Sequence, residues 1–106
     1  MRALLIAALL LAATFASEAS AAGAARSFFK PQIDGEPVAF CVSDGKRCGK
    51  PVADAWCRSN GYGDALLYQR AQGQGAEMQP LFVDTGTACT VDGCLSFREI
   101  KCGRAS

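Results

Sequence analysis

Cys48-Gly49-Lys50-Pro51-Val52-Ala53-Asp54-Ala55-Trp56-Cys57-Arg58-Ser59-Asn60-Gly61-Tyr62 is the stretch on which the fold turns. Pro51 suits the first helical position, where its missing N–H would have no partner anyway. Asn60-Gly61 supplies a stop, because glycine accepts the left-handed conformation that closes many helices. These signals predict a helix of about ten residues starting near Pro51. At about 100° per residue, Val52, Ala53, Ala55, Trp56, Cys57 and Ser59 share one face, with Asp54 and Arg58 together opposite it. The helix is therefore amphipathic, and it needs an apolar surface to cover.

The flanking sequence offers a sheet. Val38, Phe40 and Val42 alternate with Ala39 and Cys41, which predicts a strand over 37–42. Ser43-Asp44-Gly45-Lys46 reads as a polar turn. Further strands are expected over 65–70, 81–84 and 95–102, with a Gly/Gln loop over 72–79. In the last strand Leu95 and Phe97 define one face while Ile100 and Cys102 fall in the opposite phase, so a β-bulge near Glu99 is required to reconcile them. The expected fold class is α+β: a small disulfide-stapled domain with one helix packed on a mainly antiparallel three- to four-stranded sheet. The alanine-rich stretch 22–36, with Phe28-Phe29 and the Asp34-Gly35 turn signal, reads as a flexible N-terminal arm ahead of a single domain over 37–106.

Met1-Arg2, an apolar run from Ala3 to Ala16 and the small residues Ala19-Ser20-Ala21 have the form of a cleavable signal peptide over 1–21. Ser17, Glu18 and Ser20 interrupt the run short of the roughly 20 apolar residues a spanning helix needs, so no stable membrane anchor is expected. Cleavage after Ala21 leaves 85 residues, and the expected location is secreted or periplasmic. Loss of Arg2 and Glu18 leaves ten basic and nine acidic side chains with no long like-charge run, which argues against nucleic acid as a partner.

All six cysteines, Cys41, Cys48, Cys57, Cys89, Cys94 and Cys102, lie beyond that segment, and an even count in a short exported chain reads as three disulfides. Cys48 and Cys57 bracket the helix. Nine residues at about 1.5 Å each hold them about 13 Å apart, beyond the roughly 7 Å a bridge tolerates. Cys57, on the apolar helix face, is expected to reach a strand cysteine, with Cys102 leading. Cys89 and Cys94 flank Asp92-Gly93 and can close a local hairpin loop, while the partners of Cys41 and Cys48 stay open.

There is no histidine, which removes the Ser-His-Asp and Cys-His nucleophile systems and the commonest metal ligand. Successive cysteines are separated by six, eight, thirty-one, four and seven residues. No C-x-x-C pair for zinc or redox work occurs, and no dense acidic calcium loop, so neither metal nor cofactor is expected. Leu81-Phe82-Val83-Asp84-Thr85-Gly86-Thr87 is similar to the catalytic loop of aspartic proteases, but only 22 residues follow Asp84, and a strand running into an Asp-Gly turn explains the same letters. Trp56 sits on the apolar helix face and reads as core. Candidate binding residues are Tyr62, Tyr68, Phe28 and Phe29.

The stretch from Cys48 to Tyr62 resembles small exported six-cysteine proteins that read Cys-Gly-x-Pro-Ala-Ala-Asp-x-Phe-Cys followed by a glycine-aromatic step. Cys89, Cys94-Leu95-Ser96-Phe97 and Cys102 resemble their closing segment, with Val52 and Trp56 here in place of alanine and phenylalanine. The resemblance implies a shared scaffold and transfers no catalytic residue. The expected function is a non-enzymatic binding module for a protein or envelope component, for instance an inhibitor. The alternatives are a small carboxylate-dependent hydrolase using Asp84 and a membrane-active defence peptide.

Overall fold

The helix forms where its signals place it: α1 spans Lys50–Ser59. Gly49 precedes it at φ 75°, and a Cβ there would lie 2.8 Å from the Tyr68 Oη, so both backbone angle and space demand glycine. At the far end Gly61 N–H donates to the Arg58 carbonyl and Tyr62 N–H to the Cys57 carbonyl, the paired bonds of a Schellman stop. Val52, Ala53, Trp56 and Cys57 are buried, whereas Ala55 and Ser59 at the edges of the apolar face are exposed. On the polar side the acid–base pairing differs from the sequence expectation. Asp54 takes Lys50, one turn earlier, at 3.0 Å, and Arg58 turns to Asp64. Asp54 also accepts the Ala65 N–H at 2.8 Å, so its carboxylate ties the helix to the start of the next strand.

The structure is a computed structural model that describes residues 24–72, 79–90 and 94–105. The signal-peptide reading, the turn at Asp92-Gly93 and most of the 72–79 loop lie outside the described residues. Helix α1 packs on a three-stranded antiparallel sheet of order β1-β5-β4, formed by β1 (Arg26–Phe29), β4 (Ala65–Arg70) and β5 (Phe97–Cys102). Two short strands, β2 (Gln32–Ile33) and β3 (Glu36–Pro37), make a hairpin. Asp34 and Gly35 at its tip both have positive φ, as a two-residue type I′ connection requires. The fold is α+β with three disulfides, as expected.

Strand β5 resolves its conflicting phases by the expected bulge. Gln69 opposes Glu99 and Arg70 opposes Phe97, which leaves Arg98 without a partner residue and lets Phe97, Ile100 and Cys102 all face the core. A second slip at Leu66 displaces that side chain outward, where it is 62% exposed.

Three sequence expectations are corrected. Residues 26–29 of the supposed arm are a sheet strand. Phe28, opposite Ile100, packs edge-on against Trp56 at 4.9 Å and Tyr62 at 5.4 Å, and the indole N–H donates to the Gln32 carbonyl at 3.0 Å. The alanine-rich run before it and the Pro31 after it hid this four-residue strand, and the contacts that hold it are far away in sequence. Residues 37–42 and 81–84 are not regular strands either. Along 38–42 the backbone groups go to a different partner at nearly every step: Val38 N–H to Pro31, Ala39 N–H to Leu81, Phe40 N–H to Leu95 and Val42 N–H to Arg47. With four of its five donors satisfied in this way, the segment needs no regular ladder. This segment is a buried hub that gathers four parts of the chain.

The bridges follow. Cys57–Cys102 joins the buried helix face to β5 across 45 residues, with Cα atoms 5.5 Å apart. Cys41–Cys48 and Cys89–Cys94 close local loops, with Cα separations of 4.0 and 6.3 Å.

Candidate functional site

The two local bridges stand on either side of one hollow. An open cleft of about 600 Å³ is walled by Phe40, Val42, Phe82 and Leu95 together with the Cys41–Cys48 and Cys89–Cys94 disulfides. Its shape comes from the hub. Phe40 and Val42 leave the same irregular segment, Leu95 is brought in by the bond from Phe40 N–H, and Phe82 lies beside Leu81, whose carbonyl accepts from Ala39. Phe40 also stacks at 4.9 Å on Phe97, which fixes the cleft to the core of the sheet.

Charged groups at the cleft are few. Asp44 accepts the Lys46 N–H at 2.7 Å and stands 3.8 Å from the Arg47 guanidinium, so it is engaged within its own turn. Arg70, at the end of β4, enters from the other side with its guanidinium 5.9 Å from the centre of the Phe40 ring. No carboxylate lies within ion-pair distance of Arg70 among the described residues.

Asp84 ties two turns together at the cleft margin. Its carboxylate accepts from the Ser43 Oγ–H at 2.6 Å and from the Ser43 N–H at 3.1 Å, pinning the 82–87 turn to the 43–46 turn at the cleft margin. The Ser43 hydroxyl, with smaller help from backbone donors and against a little desolvation, holds the Asp84 carboxyl below its ordinary value of 3.8. The sign of the resulting pH dependence is fixed. A depressed folded-state value adds stability above about pH 3.8 and loses it as pH falls through the lowered value. Asp84→Asn is therefore expected to melt below the parent protein near neutral pH, with the gap closing toward pH 2, as a thermal-melt series over pH would show.

The four aromatic candidates do not converge. Phe28 packs against both Trp56 and Tyr62 on the helix side of the sheet. Tyr68, 39% exposed, lies near the cleft with its ring centroid 6.0 Å from those of both Phe40 and Phe97. Phe29, 69% exposed, opposes Glu99 on the other face. Trp56 is core, only 4% exposed. Sequence reading missed the cleft residues because Phe40, Val42, Phe82 and Leu95 all look like strand core; the one available signal was that two short cysteine loops must each present a rigid wall. Among the described residues no group of three or more acidic or cysteine side chains could hold a metal, and no helix is long and apolar enough to cross a membrane.

Comparison with known proteins finds no matching family model, no matching curated protein and no matching solved structure.

Proposed function

We propose that this protein is a non-enzymatic binding module working in a secreted or periplasmic setting, and that it takes its ligand, an envelope component, in the cleft between the two local disulfides. The cleft carries the reading: a concave, mainly apolar hollow within the roughly 300–1,000 Å³ range of small-molecule sites, with very few polar groups at its wall. Three disulfides favour an oxidising compartment, and two of them stiffen the cleft walls. The carboxylate-hydrolase alternative gains no support from Asp84, whose carboxylate is held by the Ser43 N–H and hydroxyl and has no second carboxylate bonded to it among the described residues. The membrane-active alternative lacks a basic amphipathic helix, since the polar side of α1 carries Lys50, Asp54 and Arg58 in mixed sign.

The test is uptake of a neutral apolar fluorophore, N-phenyl-1-naphthylamine, by the oxidised protein. One saturable site that Phe82→Glu abolishes supports the reading. Failure of every apolar probe to bind, or uptake indifferent to Phe82→Glu in a protein that still melts cooperatively, contradicts it.

A further inference from the structure

We infer that the cleft selects an apolar ligand ending in a single carboxylate, an acyl-chain or aryl acid free in solution, and that Arg70 is the group that recognises the acid. The inference rests on the cleft being a binding site and adds the chemistry of the ligand.

Four apolar side chains and two disulfides offer no hydrogen bond to a ligand beyond weak sulfur contacts. The polar groups in the wall are Ser43, Asp44 and Arg70 besides the backbone. Ser43 spends both its N–H and its hydroxyl proton on Asp84, and Asp44 is held by Lys46 and Arg47. Arg70 alone brings charge without an acidic partner among the described residues, and its planar fork of five donors matches a carboxylate in bidentate geometry. The charge complementarity therefore runs one way: a cation beside an apolar hollow calls for an anion attached to an apolar body. Position agrees. Arg70 ends β4, and Phe40, which its guanidinium overlies, forms part of the wall, so an acid on Arg70 leaves its chain directed along Phe40 toward Phe82 and Leu95. A neutral lipid or an amine would gain nothing from Arg70.

Three arms separate this inference from the reading beneath it. Dodecanoate, below its micelle threshold, and dodecanol compete for bound N-phenyl-1-naphthylamine on the parent protein and on Arg70→Gln, and calorimetry with dodecanoate alone gives a readout independent of the fluorophore. Expected is fluorophore uptake by both proteins, dodecanoate displacing at least about tenfold better than dodecanol on the parent, the factor a charge-assisted hydrogen bond supplies. That preference is expected to vanish in Arg70→Gln and to shrink with salt. Equal displacement by acid and alcohol on the parent, with uptake intact, overturns the acid selectivity and leaves the cleft reading standing. Absence of both fluorophore uptake and dodecanoate heat overturns both. Dodecanoate heat without fluorophore uptake, lost in Arg70→Gln, still supports the acid site. If the protein instead sediments with phosphatidylglycerol vesicles and ignores monomeric dodecanoate, the ligand is a membrane surface and the inference fails.

Discussion

Removing one bridge, by Cys57→Ala with Cys102→Ala, is expected to lower the unfolding free energy by about 4 kcal/mol, which is the chain-entropy value for a loop of this span. The two cysteines are 45 residues apart and both fully buried, so the bridge restrains a long loop of the unfolded chain and sits where the helix meets β5. Removing the Cys41–Cys48 bridge, which spans only 7 residues, is expected to cost about 2 kcal/mol by the same relation. Each kcal/mol shifts the melting midpoint of a domain this size by about 4–8 °C, so the Cys57/Cys102 variant should melt at least about 15 °C below the parent. Reversible thermal unfolding of the oxidised proteins measures both. Equal losses for the two bridges would mean that loop span does not set their contribution.

Trp56→Ala is expected to cost about 3–5 kcal/mol, the range for truncating a large buried aromatic. The indole is buried beneath Phe28, holds the Gln32 carbonyl, and lies on the helix face that carries Cys57. Its loss removes the floor on which β1 rests. Amide exchange in Arg26 and Phe28, whose N–H groups face β5, should therefore accelerate more than exchange in β4, which keeps its own tie through Asp54 to Ala65. Trp56→Phe keeps most of the volume but leaves the Gln32 carbonyl without its donor, and is expected to cost about 1–3 kcal/mol. Denaturant melts give the totals, and exchange assigns the loss to β1.

Helix α1 was legible from its two ends because Pro51 and Gly61 act through backbone geometry that operates within a few residues. The bulge in β5 was legible for a related reason: the strand must bury Phe97, Ile100 and Cys102 on one side, and strict alternation cannot do so. A helix face that had to meet a strand pointed Cys57 to a strand cysteine with Cys102 leading, and the structure pairs the two. Strand β1 was not legible, since residues 26–29 become a strand only through β5 and Trp56, which lie more than 25 residues downstream. Residues 37–42 had the alternation of a strand yet distribute their hydrogen bonds among four segments, a choice that period-two hydrophobicity does not encode.

The helix, its stop, the apolar face it buries and the bulge were therefore set by the sequence, because each depends on nearby residues or on a pattern that one face must satisfy, whereas the choice of Cys102 as the partner of Cys57 came from the fold. The tertiary structure alone decided the cleft. Phe40, Val42, Phe82, Leu95 and Arg70 come from separate parts of the chain, each reads on its own as ordinary strand sequence, and they face one hollow only because the hub at 38–42 and two local disulfides bend the chain there.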